Sequence, residues 1–234
     1  MTIAVMQPYF MPYIGYFQMI KAVDKFVFYD DVNYIKQGWI NRNKILVNQK
    51  EFLFTVPLDK ATSFSFIKDT KINGKMYEKW KIKFYQTLFQ SYKKAPYFNE
   101  VNGLIVKILE SDSSSISRLA INSVHEIAKY LQLDTKFAVS SECYNNNELD
   151  RKMRLLDICK RENATNYINA IGGQELYEKQ DFLNENIQLD FIKSKPVRYQ
   201  QYDNEFVPCL SMIDVLMFNS VEEINGMLEK YELV

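Results

Sequence analysis

Two short apolar segments near the amino terminus, separated by a stretch of helical composition, restrict the fold more than any other feature of the chain. Residues 2–6 and 25–29 each have the length of a buried strand, and the stretch from Tyr16 to Val23 between them has the composition of a helix. A strand, a helix and a second strand in this order predict two parallel strands joined by a right-handed crossover.

The same alternation continues along the chain. Further strands are predicted at residues 51–56, 134–140, 166–170 and 187–192, and helices at 75–92, 116–132, 149–161, 211–218 and 221–230. The helix at 75–92 places four apolar residues on one face, at a spacing of four: Met76, Trp80, Phe84 and Leu88. The sequence therefore predicts a single α/β domain over residues 1–234, built on a mainly parallel, Rossmann-like sheet, with a mostly helical insertion at about 74–132.

Composition and charge exclude several classes of protein. The chain has 29 Lys and Arg against 29 Asp and Glu, and this net charge of zero argues against nucleic acid as its main partner. No apolar run approaches the roughly 18 residues of a membrane span, and the amino terminus lacks the basic segment of a signal peptide.

The cysteines and the single histidine indicate which kinds of site the chain can form. Cys143, Cys159 and Cys209 are odd in number and lack CxxC spacing, which indicates a reducing cytoplasm. With His125 alone, a multi-histidine metal site is excluded, and we expect neither a metal nor a cofactor. The position of His125 beside the apolar face of its helix favours a structural or surface role, although a cysteine–histidine pair in the site stays open.

The segment that follows the first strand is rich in Tyr and Pro and ends in a glycine at the start of a helix. Gly15 lets a ligand approach the first backbone N–H groups of that helix, where the helix dipole favours an anion such as phosphate. A rigid turn that stacks Tyr9, Tyr13 and Tyr16 on the core is the alternative. Gln7, the first residue after the strand, belongs to the same candidate site.

A second polar segment follows the strand at 25–29, at the position where open α/β sheets bind ligands. It carries carboxylates, amides, cations and aromatics within fourteen residues, a set that suits a polar ligand with a phosphate and a ring. The candidate residues are Asp30, Asp31, Tyr34, Lys36, Trp39, Asn41 and Arg42. A charged surface loop anchored by Trp39 is the alternative. A glycine pair, Gly172 and Gly173, follows the strand at 166–170 and offers a further anion site, although it lacks the full GxGxxG pattern.

Five segments resemble the WbqC-like protein family: residues 6–17 (MQPYFMPYIGYF), 28–31 (FYDD), 38–43 (GWINRN), 167–173 (YINAIGG) and 210–214 (LSMID). The resemblance implies a role in bacterial O-antigen or capsule biosynthesis, beside enzymes that make amino-dideoxy sugar nucleotides. A second resemblance bears on the fold. Residues 13–16 (YIGY) are similar to the His-x-Gly-His segment of cytidylyltransferase-like proteins, with tyrosine at both histidine positions, which implies a cytidylyltransferase-like sheet without the catalytic histidines.

These observations together predict a cytoplasmic transferase that acts on a nucleotide-linked amino-dideoxy sugar by N-acyl or aminoacyl transfer. Asp30 or Asp31 orients the sugar amine and removes its proton, Arg42 and the backbone near Gly15 hold the diphosphate, and Tyr9, Tyr13 or Trp39 stacks on a ring. The acyl donor and the oligomeric state stay open. So do three other functions: nucleotidyl transfer, a non-catalytic scaffold that presents sugar nucleotides to a glycosyltransferase, and docking of RNA or anionic lipid on the lysine-rich helix face at 75–94.

Overall fold

A computed structural model describes residues 1–202 and 205–234, and within these ranges it contains a mostly parallel six-stranded sheet. The sheet consists of β1 (Thr2–Met6), β2 (Lys25–Phe28), β5 (Lys136–Val139), β6 (Asn166–Ala170), β7 (Gln188–Ser194) and β8 (Tyr231–Leu233). Their order across the sheet is β5-β2-β1-β6-β7-β8, and only β8 runs antiparallel to its neighbour. The α/β class and the mainly parallel sheet are thus confirmed, whereas the cytidylyltransferase-like form stays a prediction.

The strand order places a topological switch point between β1 and β6. The chain builds outward from β1 through β2 to β5 on one side, and then crosses to β6 and β7 on the other. Loops at the carboxyl ends of β1 and β6 therefore leave in opposite directions and open a crevice between them, which is the usual ligand site of such sheets.

Helices cover both faces of the sheet, because successive side chains of a strand point to opposite faces. Ile3 and Val5 of β1 pack with α6 (Arg151–Arg161) and α7 (Lys179–Leu183) on one face. Ala4 packs on the opposite face, in the larger core. The helices that contribute to this larger core include α1 (Ile14–Lys21), α4 (Ile116–Tyr130), α8 (Met212–Phe218) and α9 (Val221–Leu228).

A separate antiparallel hairpin, β3 (Arg42–Val47) and β4 (Lys50–Thr55), lies outside the main sheet. Its turn residues Asn48 and Gln49 both have positive φ, at 49° and 64°, which matches the twist of a two-residue hairpin turn. The strand predicted at 51–56 is β4. Its partner β3 was not predicted, since its polar first half (Arg-Asn-Lys) resembles a loop.

Between the hairpin and β5 the chain forms α2 (Gly74–Tyr92), α3 (Phe98–Leu109) and α4, followed after β5 by the short α5 (Ser140–Cys143). The predicted apolar face of α2 is partly wrong. Phe84 and Leu88 are buried, but Met76 is 57% exposed, and Tyr77 and Tyr92 complete the buried face.

The division into one domain with an insertion at about 74–132 stays a prediction. Across the described residues, no helix combines the length and apolar character needed to cross a membrane.

Candidate functional site

The crevice at the switch point is a cleft of about 620 Å³, bordered by the carboxyl ends of β1, β2 and β6 and by the start of α6. Its volume lies within the range of small-molecule sites. Charged and amide side chains line one part of it: Gln7, Asp31, Asn33, Asn147, Arg151, Arg154 and Asn169. Aromatic and apolar residues line most of the rest, among them Tyr29, Ile35, Phe66, Tyr167, Leu176 and Tyr177. We call it the switch-point cleft.

An ion pair between Asp31 and Arg154 lies in the wall of this cleft. Nη2 of Arg154 is 2.7 Å from Oδ2 of Asp31, and the two side chains are only 7% and 0% exposed. The guanidinium is fixed on several sides: Nε donates to Oδ1 of Asn146, Nη2 donates to Oδ1 of Asn147, and the plane lies 4.5 Å from the ring centre of Tyr29. Both charges are therefore held in one position.

Asp31 has hydrogen-bonding capacity that the described residues do not satisfy. The contact from Arg154 is ionic in character: three of the five guanidinium N–H groups donate to Asn146, Asn147 and the main-chain oxygen of Asp31, and none is aligned with a carboxylate oxygen. Neither carboxylate oxygen accepts a directed hydrogen bond from the described part of the chain. A buried carboxylate without donors is costly. Both oxygens are closed to solvent, so a ligand N–H or O–H group reaches Asp31 only when the adjoining cleft wall moves aside.

The rest of the lining gives the cleft an excess of positive charge. Arg151, the first residue of α6, is exposed and forms no ion pair within residues 1–202 and 205–234. With Arg154, it sets two guanidinium groups against the single carboxylate of Asp31. Asn169, at the end of β6, is mostly buried and uses Oδ1 to accept from the backbone N–H of Ala170, which leaves its amide N–H groups for a ligand.

The adjacent carboxylate, Asp30, faces a different cleft of about 440 Å³ between the ends of β2 and β5. Its Oδ2 accepts from the hydroxyls of Ser117 (3.1 Å) and Ser141 (2.9 Å), and Oδ1 accepts from the backbone N–H of Ser141. Burial raises the pKa of Asp30 above its ordinary value, against these hydrogen bonds. These hydrogen bonds link the end of β2 to the starts of α4 and α5. They also occupy the carboxylate of Asp30, which favours a structural role for this residue.

His125 also borders this second cleft. Its ring lies 4.5 Å from the ring centre of Phe137 and 5.5 Å from that of Phe28, and one edge stays exposed. Burial against these rings lowers the pKa of His125 below 6.5.

This shift predicts a pH dependence of stability. As the pH falls through 6.5, the unfolded chain binds the histidine proton before the folded chain does, so the free energy of unfolding decreases until folded His125 is protonated as well. We expect a His125→Gln variant to lose this component. Denaturant unfolding of both proteins from pH 8 to 5 measures it, because the carboxyl groups are common to both and cancel in the difference. Parallel pH profiles would contradict the prediction.

The residues predicted around Gly15 are mostly packed against one another. The hydroxyl of Tyr16 donates to the main-chain oxygen of Gln7, and the ring of Tyr9 lies 5.5 Å from that of Tyr16. Tyr13 is 40% exposed. A Cβ atom on Gly15 would lie 2.4 Å from Cε2 of Tyr13, so close packing accounts for this glycine. Among these residues, Gln7 lines the switch-point cleft.

The residues predicted at 34–42 mainly shape their own loop. Tyr34 donates its hydroxyl to Oδ1 of Asn41, and both side chains are buried. Arg42 donates to the main-chain oxygens of Gln37 and Gly38. The remaining two predicted residues, Lys36 and Trp39, are exposed.

Of the predicted site residues, the structure thus gathers Gln7, Asp31, Gly172 and Gly173 in one cleft. Sequence reasoning missed Arg151, Arg154 and Asn169. Asn169 could have been predicted, since it lies near the end of a predicted strand, close to the glycine pair. The two arginines carried no local signal, because they lie in a helix of ordinary composition.

Comparison with known proteins identifies the family of this chain. A model of the WbqC-like protein family matches residues 7–226. The chain belongs to the WbqC-like protein family. Uncharacterized protein Rv1507c of Mycobacterium tuberculosis is similar to this WbqC-like chain, with 30% identity over 221 residues that cover 93% of each protein. No solved structure matches the chain.

Three segments that carry the WbqC-like resemblance converge on one backbone atom. The main-chain oxygen of Met11, a residue with a φ of 46°, accepts from Nδ2 of Asn43 (2.8 Å) and from Oγ of Ser211 (2.6 Å). In this WbqC-like protein the segments 6–17, 38–43 and 210–214 therefore form a joint at Met11. Segments 28–31 and 167–173, together with Met6 and Gln7, contribute walls of the cleft.

Proposed function

We propose that the switch-point cleft binds a nucleotide-linked amino-dideoxy sugar and that the protein transfers an acyl or aminoacyl group to the sugar amine. The observation that carries the proposal is the buried carboxylate of Asp31, which has an ionic partner but no directed donor. In this proposal the cleft wall moves aside when the ligand binds, and an amine or hydroxyl of the sugar supplies that donor. The family is associated with O-antigen biosynthesis genes, which supports a sugar substrate.

The remaining parts of the ligand have matching groups in the lining. A diphosphate carries negative charge, and the exposed guanidinium of Arg151 is the cation available to it. The rings of Tyr29 and Tyr177 offer faces for a base or a sugar. Asn169 and the backbone at Gly172 and Gly173 offer N–H groups to hydroxyl or phosphate oxygens. The sequence favoured Arg42 and the backbone near Gly15 for the diphosphate. This proposal places the diphosphate at Arg151 instead.

The proposed chemistry requires a base at the amine. The neutral amine nitrogen attacks the carbonyl carbon of an activated acyl donor, such as a thioester or an ester; a C–N bond forms, and the bond from that carbon to the donor sulfur or oxygen breaks. Asp31 accepts the proton that the nitrogen loses, and the proton then passes to the leaving group. Arg154 holds the carboxylate toward the amine throughout.

Thermal unfolding with a panel of dTDP-, UDP- and CMP-linked amino sugars tests ligand binding. A ligand that binds only the native state raises the melting temperature by mass action, and at 100 times its Kd it adds about 2.7 kcal/mol. We expect one nucleotide class to stabilise the protein, and Arg151→Gln to weaken that effect. A flat response to the whole panel would contradict the proposal.

Turnover distinguishes a transferase from a binding protein. Incubation of the stabilising sugar nucleotide with acyl-thioester and aminoacyl donors is followed by mass spectrometry. The expected product is heavier by one acyl or aminoacyl group. Binding without any mass change across the donors would favour the non-catalytic scaffold.

The two glycines of the cleft give a matched pair of variants. A Cβ atom on Gly173 would lie 2.7 Å from Nδ2 of Asn169, whereas a Cβ on Gly172 would meet nothing within 4 Å. We expect Gly173→Ala to displace the Asn169 amide and weaken sugar-nucleotide binding by about fivefold to tenfold, the equivalent of one lost hydrogen bond. Gly172→Ala is the control, because it keeps the backbone N–H offered to the ligand and its Cβ atom displaces no side chain. Titration calorimetry measures both, and equal affinities would argue against a role for Asn169.

A further inference from the structure

Two paired loops carry an exposed apolar surface beside the mouth of the switch-point cleft. The backbone N–H of Tyr34 donates to Ser65, and that of Ile67 donates to Val32, so residues 30–39 and 62–68 lie side by side. Four large side chains on these loops face solvent, with exposed fractions of 87% for Phe64, 51% for Ile35, 39% for Trp39 and 38% for Phe66. We call these four residues the apolar tip surface.

Cations outnumber acidic residues around this surface. The segments 32–44 and 60–68 contain five Lys and Arg residues and no Asp or Glu, in a chain whose net charge is zero, although Lys44 pairs with Glu51, and Asp59 and Asp69 flank the second segment. Two of these cations lie beside the apolar side chains: Nζ of Lys68 is 5.9 Å from the ring centre of Phe66, and the guanidinium of Arg42 is 5.8 Å from that of Trp39. The partner therefore carries negative charge next to an apolar layer.

We propose that the apolar tip surface docks on an anionic lipid bilayer. Phe64 protrudes almost completely, so a folded protein partner would need a matching cavity for it, whereas a bilayer accepts any protruding apolar group. Aromatic and aliphatic side chains among Lys and Arg are the residue types that enter the boundary between headgroups and acyl chains. Ile35 and Phe66 also line the cleft, so docking in this way holds the cleft mouth at the lipid headgroups.

Co-sedimentation of the full chain with vesicles tests the proposal. We expect binding to vesicles that contain phosphatidylglycerol, weaker binding at high salt, and little binding to pure phosphatidylcholine. Phe64→Ser is expected to lower the partition coefficient about tenfold, since it removes one inserted aromatic side chain. Phe89→Ser is the matched control: Phe89 on α2 is 54% exposed and has Lys93 at 5.4 Å, but it lies outside the tip surface.

Tryptophan fluorescence locates the contact independently of any change in folding. Brominated anionic lipids are expected to quench the emission of the wild-type protein, and Trp39→Phe is expected to remove most of that quenching, because the other tryptophan, Trp80, lies on α2. Equal binding to both lipid compositions, or equal effects of Phe64→Ser and Phe89→Ser, would overturn the proposal. Retention on heparin without vesicle binding would overturn it in favour of nucleic acid.

Discussion

Replacement of Arg154 by Met is expected to destabilise the protein by about 3–5 kcal/mol, because it leaves the fully buried carboxylate of Asp31 without its cation. For a chain of this length, each kcal/mol lowers the melting temperature by about 2–4 °C, so the expected loss is on the order of 10 °C. Differential scanning calorimetry in the absence of ligand measures it.

Two further variants separate this effect from ordinary loss of packing. Lys160→Met, on the same helix, breaks an exposed ion pair with Glu185 at 2.8 Å and is expected to cost less than about 1 kcal/mol. Asp31→Asn is expected to destabilise the wild-type protein but to stabilise the Arg154→Met variant, since there it removes an unpaired buried charge. If Arg154→Met cost no more than Lys160→Met, the buried ion pair would not hold the cleft wall.

Replacement of Asp31 by Asn is expected to lower the rate of acyl transfer by about 10²- to 10⁴-fold, the usual contribution of a positioned base. The amide keeps the size of the carboxylate but cannot accept the proton that the attacking amine loses. Single-turnover measurements with the donor and sugar nucleotide identified by the binding panel give the rate, at a temperature where calorimetry shows the variant to be folded.

Asp30→Asn distinguishes the two adjacent carboxylates. Asp30 faces the second cleft with three hydrogen bonds already made, so its replacement is expected to change the transfer rate by less than about tenfold. A larger loss for Asp30→Asn than for Asp31→Asn would exchange their roles. If Asp31→Asn changed binding alone and no acceptor or donor ever reacted, the scaffold function would be the better description.

The joint at Met11 explains why the family resemblance extends to residues that do not line the cleft. Asn43 and Ser211 donate to one backbone oxygen of a residue in the left-handed region, where a non-glycine side chain is uncommon. A residue in this uncommon conformation is kept there only where surrounding contacts hold its backbone, as the hydrogen bonds from Asn43 and Ser211 do at Met11. Recognisable sequence therefore marks structural constraints in this chain as well as the walls of the site.

The class of the fold could be predicted from the sequence, because strand and helix periodicities are local properties. The segments 2–6, 25–29 and 166–170 are identifiable from their own residues, and all become neighbouring strands of the parallel sheet. The position of candidate ligand-binding groups after these strands follows from the same reasoning, and it located four residues that line the cleft: Gln7, Asp31, Gly172 and Gly173.

The division of these groups between two clefts could not be predicted from local patterns, because it depends on how the elements pack. Asp30 and Asp31 are adjacent in the chain, yet they face different clefts, since successive side chains of extended backbone point to opposite sides. Arg154 contacts Asp31, which is 123 residues away in the sequence, and the residues of its own helix do not predict that contact. Pairings of this kind depend on how distant elements pack, which local patterns do not encode.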